Sequence, residues 1–434
     1  MSTESVYASI ITIGDELLIG QTIDTNSAFI AQELNKIGIW VRRRVAVGDL
    51  AADIRQALDE ERNYSSVIII TGGLGPTADD ITKPLLCDYF GGKLVIDDEV
   101  LAHVRHLFKN VYLRTGPILQ RNLDQALVPD VCTVLHNANG SAPGMWFDVP
   151  ADASLNATAS SGQKVFVSLP GVPHEMKGLI RDEVIPRLLN KFTLPAIVHR
   201  TAFTAGQGES MLAESISQFE ASLPAHIKLA YLPSYGMVRL RLTARGTVKE
   251  ELEKEITPYF LQLQEQVKEY LVTNEDEGLE VTVGKLLNST GKTIGTAESC
   301  TGGYIAHLIT SVAGSSAYFN GSVVSYSNDL KKALLGVKEE TLSEHGAVSQ
   351  KTVEEMALGA RKNLGVDFAL ATSGIMGPGG GSEAKPVGTV WIAVASEEGV
   401  QSLKLNLRQD RQRNISIASL NALNFLRKCI LSAN

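Results

Sequence analysis

Cysteine is scarce in this chain: four in 434 residues, Cys87, Cys132, Cys300 and Cys429, far apart and with no Cys-x-x-Cys pair. Such usage argues against a disulfide framework and against a structural zinc site. Long apolar runs are missing too. No stretch reaches the roughly 18 apolar residues that cross a bilayer, and the opening MSTESVYASIITIGDELL has neither the basic start nor the apolar core of a secretory signal. Positive charge falls short of negative, 40 Lys and Arg against 48 Asp and Glu, for a net charge of -8. An acidic surface repels phosphate backbones, so nucleic acid is not expected as the main partner, although a locally positive pocket can still take a small anionic nucleotide. We expect a cytoplasmic protein without a membrane partner, in which the Asn156-Ala157-Thr158 sequon carries no meaning.

What is present is enough chain for two or three domains. Hydrophobic residues make up 44% and charged residues 20%, an ordinary globular balance. Tyr7–Ile13 and Val67–Thr71 are apolar, β-branched runs that read as buried strands, Trp40–Val47 and Val165–Leu169 read as further strands, and Asn26–Lys36 has apolar residues at helical spacing. This alternation predicts an α/β domain with a parallel sheet, whose ligands sit beyond the C-terminal strand ends. Three turns fall there: Gly14-Asp15-Glu16 with Asp24 and Asn26 close behind, Gly72-Gly73-Leu74-Gly75-Pro76, and Pro170-Gly171-Val172-Pro173. Thr77 reads as a helix N-cap with an acid, Asp80, three residues on. Asp15, Glu16, Asp24, Asp79 and Asp80 together suit Mg²⁺ or a similar hard cation, and the glycine turn at a helix start suits phosphate. Taken singly, each acid reads equally well as a cap or a solvated charge. The combined reading is a pyrophosphate held by metal and glycine loop.

Residues 150–163 are rich in Ala and Ser and read as a surface loop, and a helix over Leu179–Asn190 leads onward. The stretch 195–270 differs: strands over Val198–Thr204 and Val238–Ala244, helices over Glu209–Ala221 and Val248–Glu269, and no glycine or acid cluster. Polar Thr273–Gly278 reads as a linker. Alternation then returns, with helices over Leu279–Ser289, Thr301–Val312, Ser349–Leu364 and Arg411–Leu431 and strands over Lys292–Ala297, Gly321–Ser327, Asp367–Thr372, Val387–Ala395 and Val400–Leu407.

Within that last part, TAESCTGG puts Ser299 at a strand end just before a helix. A side chain there is exposed, and the helix start offers amides to a phosphate or to the oxyanion of acyl transfer. The plainer alternative is an N-cap serine. A serine nucleophile needs a base. His307 lies about two turns on and His345 in an expected turn, whereas Lys331 and Lys332 follow the next strand end. Either lysine, its pKa lowered by burial, could serve; either could equally be an exposed helix-start lysine. The run Ala371–Ser382 is dense in glycine and proline, which costs backbone entropy and suits close approach of backbone to a ligand, or else a flexible loop.

Together TAESCTGG, AGSSAYF, GSVVSYSNDLK, HGAVS, TSGIMGPGGGS and KPVGTVW, spread over residues 280–430, resemble the CinA C-terminal domain, a bacterial nicotinamide mononucleotide deamidase. The resemblance implies Ser299 as nucleophile, Lys331 as general base and Tyr326 in support of the lysine or the leaving ammonia. It further implies substrate contacts from Ser316, Ser373, Gly374, Gly377, Gly379, Gly380 and Arg411, with no cofactor. Arg408-Gln409-Asp410-Arg411 departs from the usual Gly-Asp-Arg, and Met376 stands where the family has alanine, which implies a narrowed pocket.

GDELLIGQTIDTNS, TGGLGPTADDITK, NGSAPG and LPGVPHEM resemble the CinA N-terminal domain, related in fold to molybdopterin-binding proteins and associated with a metal-dependent ADP-ribose pyrophosphatase. GQGES and KLAYLPSYGMVRLRLTARG resemble the family's KH-like module. The implied domains are 1–177, 178–275 and 276–434. Asn26, Gly72, Gly73, Gly75 and Thr77 would hold the nucleotide, and the acidic set a divalent metal, with K⁺ as a further candidate ion. His174 and Glu175 read as turn or cap residues as readily as site residues. The expected reactions are nicotinamide mononucleotide to nicotinate mononucleotide and ammonia, and ADP-ribose to AMP and ribose 5-phosphate, in a homodimer. The rivals are a non-catalytic molybdopterin- or nucleotide-binding N-domain, and a competence or recombination partner protein.

Overall fold

β1 (Tyr7–Ile13) is buried from Ala8 onward, and β3 (Val67–Thr71) throughout, as apolar strands covered on both faces must be. Successive side chains go to opposite faces. Ile10, Val67 and Ile69 pack with Ile30 and Leu34 of helix Thr25–Lys36, while Ile11, Ile68 and Ile70 pack with Ile54 and Leu58 of helix Ala51–Glu61. The computed structural model describes residues 6–77, 80–113, 116–150, 163–234 and 236–433. It divides into two units, Met1–Val198 with Arg245–Glu253, and His199–Ala244 with Lys254–Asn434. Among the described residues no helix is long and apolar enough to cross a membrane.

In the first unit the strand order is β2-β1-β3-β8-β7-β6: β2 (Trp40–Val47), β1, β3 and β8 (Lys164–Leu169) are mutually parallel, β7 (Gly144–Val149) runs antiparallel to them, and β6 (Thr133–Leu135), antiparallel to β7, points the same way as β8. The expected all-parallel sheet is therefore mixed. The connection from Leu135 to Gly144 is too short for the dozen-residue crossover a parallel pair requires. β4 (Leu94–Ile96) and β5 (Leu127–Pro129) form a separate pair. Two further expectations are corrected. Thr77 caps no helix; the next one is Thr82–Tyr89, entered from Ile81. Helical structure begins at Pro173, straight after the PGV turn, and runs on through Lys191, with Leu179, Ile180, Val184 and Leu188 buried in the first unit's core. A boundary at 177 would cut that helix, so it belongs to the first unit. The loop expected over 150–163 lies mostly outside the described residues.

The second unit opens with the order β10-β11-β9-β12, from β9 (Ala196–Ala205), β10 (Ile227–Ser234), β11 (Met237–Gly246) and β12 (Leu271–Thr273). β10 escaped the sequence reading because it is largely exposed and lacks a clean alternation. The stretch Thr273–Gly278 does not separate independent cores: Phe203, Met237 and Val272 pack in one cluster with Leu279, Val283 and Leu287, and Arg239 pairs with Asp276 at 3.1 Å.

The second sheet of this unit has the order β14-β13-β15-β16-β17, from β13 (Ile294–Glu298), β14 (Phe319–Val324), β15 (Phe368–Gly374), β16 (Thr389–Ser396) and β17 (Gly399–Asn406). β13 is parallel to β14 and β15, and the last three strands meander antiparallel. Ala297, Ala369, Ala371, Ala393 and Ala395 make one face small enough to seat Val353, Met356, Ala357 and Ala360 of helix Gln350–Leu364. The other face is covered by helices Leu279–Thr290, Tyr304–Thr310 and Arg411–Ser432. The C-terminal ends of β13, β14 and β15 lie side by side, and the turns bearing Ser299, Ser325 and Ile375 leave from there.

Candidate active site

Two ladder bonds carry the sheet's order into the turns. Ser299 N donates to Thr372 O at 3.0 Å, and Ser325 N to Glu298 O at 2.8 Å. After Ser325 the chain enters helix Asn328–Leu335, whose N-cap hydroxyl, on Ser327, accepts from Leu330 N. One turn in, Lys331 points back beneath the sheet end. It is 1% exposed, donates to Ser325 O at 2.8 Å, and its Nζ lies 3.1 Å from Ser299 Oγ. Burial disfavours the ammonium and lowers the Lys331 pKa from the ordinary lysine range, with the nearby Cys300 thiol opposing. Lys332 lies apart, paired with Glu339 at 2.6 Å and Asp329 at 3.1 Å, which raise its pKa. Of the two lysines left open by the sequence, only Lys331 meets Ser299.

Glu298, within TAESCTGG, organises the whole turn. Its fully buried carboxylate accepts from Thr301 Oγ1 at 2.7 Å and from the amides of Gly303, Ile305 and Ala306 at 3.0, 3.1 and 2.8 Å. The helix-start amides expected to face a ligand are thus taken. Gly302 N and Tyr304 N bond within the turn, to Ser299 O and Thr301 O. The amides of Cys300 and Thr301 bond to no backbone oxygen among the described residues, and the Cys300 amide lies against its own thiol sulfur. Cys300 itself is buried, which pushes its thiol up to about 12 and keeps it protonated beside the serine.

Arg411, first residue of the last helix, donates to Gly377 O at 2.9 Å and to the Tyr326 hydroxyl at 3.1 Å. Tyr326 is thereby joined to Arg411 rather than to the lysine. The glycine loop is fastened at further points: Ser373 Oγ to Ala347 O at 2.7 Å, Lys385 Nζ to His345 O at 2.6 Å, and Asn414 Nδ2 to Met376 O at 3.1 Å. These bonds correct the flexible-loop alternative. Ser373 is buried with its proton committed to that carbonyl. A Cβ at Gly374 would sit 2.8 Å from Thr389 O, and one at Gly377 2.7 Å from Val387, so packing alone demands those two glycines. Gly379 borders open space, and Gly380 meets only Ile375 at 3.7 Å, so both leave room for a ligand.

Two expectations fail on topology and packing. Met376 is 3% exposed and packs in the core with Leu370, Val390 and Ile392, so it does not narrow the pocket. Ser316 precedes β14 at the sheet's opposite end: register pairs Ile294 with Phe319 and Glu298 with Val324, which sets Ser316 a full strand length from Ser299. Asn414, fully buried and tying Met376 O to Gln409 O, is a residue that sequence reading missed.

In the first unit Asp15, Asp24 and Asp80 each accept hydrogen bonds from the chain. Asp24 accepts from Ser27 N at 2.8 Å as the N-cap of helix Thr25–Lys36. Asp80 accepts from Gly75 N and Thr77 N at 2.8 and 2.9 Å and from the Thr77 hydroxyl. Asp15 accepts from Asp49 N, and Glu16 is exposed. Asp79 lies outside the described residues. Among the described residues no group of three His, Cys, Asp or Glu is gathered to hold a metal. Asn26 donates to Gly171 O at 2.8 Å and Thr71 Oγ1 at 3.2 Å, tying together the ends of β3 and β8. A Cβ at Gly72 would strike Ile13 O, and one at Gly73 the Thr82 hydroxyl. Glu175 is no cap: Asn137 Nδ2 donates to it at 2.7 Å, it lies against Gly140, and burial raises its carboxyl pKa. His174 is exposed.

Comparison with known proteins matches three family models in chain order: "Probable molybdopterin binding domain" over residues 9–190, "Damage-inducible protein CinA KH domain" over 199–273, and "CinA C-terminal domain" over 276–430. The CinA-like protein of Cytophaga hutchinsonii is 49% identical over 423 residues, and that of Flavobacterium psychrophilum 50% over 425, each covering 98% of both chains. The competence/damage inducible protein CihA of Agrobacterium tumefaciens, a solved structure, is 40% identical, covers 35% of this chain and 92% of its own, and has a TM-score of 0.34.

Proposed function

This chain belongs to the CinA family, and from that premise we propose that its C-terminal domain deamidates nicotinamide mononucleotide by a Ser/Lys mechanism. The observation that carries the reading is the buried Lys331 amine 3.1 Å from Ser299 Oγ. Neutral Lys331 takes the serine proton as Oγ attacks the amide carbon. The oxyanion faces the unengaged amides of Cys300 and Thr301. On collapse the C–N bond breaks, and the lysine ammonium returns its proton to the departing nitrogen, which leaves as ammonia. Water then attacks the ester while neutral Lys331 takes its proton. The acid product departs and Ser299 recovers its proton. Arg411, joined to the glycine loop and to Tyr326, has guanidinium donors left for the nucleotide phosphate.

For the N-terminal domain we propose ADP-ribose hydrolysis to AMP and ribose 5-phosphate. The supporting features are the tight Gly72-Gly73 turn at the ends of parallel strands and the half-buried, raised carboxyl of Glu175. The described carboxylates alone do not fit a cation site, and no step is assigned to a metal. A nucleotide- or molybdopterin-binding module without catalysis is the second reading, favoured by the hydrogen bonds that already satisfy Asp24 and Asp80.

The test is incubation of the whole protein with nicotinamide mononucleotide and, separately, ADP-ribose, with products identified by chromatography and mass spectrometry. Nicotinate mononucleotide with equimolar ammonia, lost in Ser299→Ala, is the expected result. Unchanged nicotinamide mononucleotide would contradict the C-terminal reading. ADP-ribose recovered intact but bound would favour the second reading of the N-domain.

A further inference from the structure

We propose that Glu298 is a positioning residue for the nucleophile, acting by clamping the helix side of the Ser299 turn to the strand end. The inference rests on the Ser/Lys reading of that turn. Glu298 ends β13 and is fully buried. A carboxylate placed there must be compensated by donors, and all of these come from one short stretch. Oε2 accepts from the Thr301 hydroxyl, Gly303 N and Ile305 N, while Oε1 accepts from Ala306 N and, at 3.4 Å, from Thr296 Oγ1. Residue 298 is thus bound to 301, 303, 305 and 306, and the chain between can close in few ways.

That closure requires left-handed backbone at Gly302, φ 62°, and Gly303, φ 96°, which glycine adopts without strain. Thr301 extends the clamp to the next strand, its hydroxyl 2.8 Å from Thr372 Oγ1, while Thr372 O accepts Ser299 N. Ser299 is therefore fixed on the strand side by the ladder and on the helix side by the Glu298 clamp. With the helix-start amides engaged by Glu298, only the Cys300 and Thr301 amides of this turn bond to no oxygen of the chain among the described residues. A displacement of the serine by about 1 Å costs on the order of 100-fold in rate.

The clamp needs two accepting oxygens. Glu298→Gln keeps the length but turns an NH₂ toward donors, so at least one amide is left facing another N–H. Thr301→Val removes one bond and keeps the shape, and Thr301→Ser restores the hydroxyl. The folded, full-length variants would be compared in two assays: ammonia release from nicotinamide mononucleotide, and the rate at which a fluorophosphonate phosphonylates Ser299, with fluoride leaving, read by peptide mass spectrometry. For Glu298→Gln we expect kcat and labelling to fall roughly 10- to 100-fold, with KM within about twofold. The acid limb of the pH–rate profile should stay in place, because burial, not Glu298, lowers the Lys331 pKa. Thr301→Val should lose several-fold in both assays and Thr301→Ser should recover.

A folded Glu298→Gln protein with parental kcat and labelling would overturn the proposal. If that variant does not fold, parental rates in Thr301→Val would overturn it, and loss with rescue by Thr301→Ser would support it. Lys331-dependent labelling in a parent that releases no ammonia would refute the substrate and leave the positioning role to be decided by the labelling rates. A parental Ser299 that resists the probe and releases no ammonia would overturn both.

Discussion

Replacing Lys331 by arginine should cut turnover by at least roughly 100-fold while the protein stays folded. A lysine at its ordinary value of 10.5 would be neutral in only about one molecule in a thousand at pH 7.5. Burial at 1% exposure lowers that value, so a larger fraction of the amine is neutral at any given pH. Arginine stays protonated under all such conditions and cannot accept the serine proton. Loss of a general base costs roughly 100- to 10,000-fold, and Lys331→Arg is expected within that range. Lys331→Met removes the base and the buried charge together. It leaves Ser325 O unpaired, at about 1–3 kcal/mol, which the fold should survive. For the parent, kcat/KM should rise with pH through the lowered Lys331 pKa to a plateau. Stability follows the same sign. The unfolded lysine binds its proton up to a higher pH than the folded one, so stability rises between the two values and the penalty is greatest below the folded one. Lys332→Ala, at an exposed ion-paired site, should keep most activity. The assay is ammonia release from nicotinamide mononucleotide across pH, with circular dichroism to verify folding. A Lys331→Arg protein with near-parental rate, or a Lys331→Met protein that retains the acid limb, would refute the general-base role.

Ammonia release from nicotinamide mononucleotide should be unchanged by EDTA, because every group in the proposed step is a side chain or amide of the chain; complete loss restored by divalent metal would count against it. Met376→Ala should lower unfolding stability by roughly 2–5 kcal/mol in denaturant titration, as a core truncation does, with KM for nicotinamide mononucleotide within twofold; a large gain in affinity would revive the narrowed-pocket expectation. Asp80→Asn places an NH₂ against the Gly75 and Thr77 amides and should reduce AMP formation from ADP-ribose while ammonia release stays intact; equal loss of both activities would point to misfolding.

The site was legible where chemistry depends on local order. A β-branched run ending in Ser299, and a lysine just beyond the next strand, sufficed to bring both to one sheet end, since parallel neighbours deliver their C-termini together. The choice of Lys331 over Lys332 came from the family resemblance and not from the local pattern, because one residue of helix rotation separates a buried amine from an ion-paired one, and only packing sets that rotation. Ser316, implied by the resemblance, lies near the strand in sequence, but at its start rather than its end. Glu298 showed no signal of its own, as an acid at a strand end reads as solvated until its donors are seen. The N-terminal sheet was expected parallel because its first strands are; β6 and β7 are antiparallel because the connection between them is too short to cross over, which hydrophobic periodicity does not report.

The central claim is that Ser299 becomes acylated by the amide substrate, and the most direct measurement is to catch that ester. Protein mixed with nicotinamide mononucleotide, quenched in acid during turnover and digested, should yield a Ser299 peptide carrying the substrate's acyl group, with ammonia released ahead of acid product in the first turnover. Ser299→Ala should give neither adduct nor ammonia. Product formation by Ser299→Ala at the parental rate, with no adduct in the parent, would contradict the account.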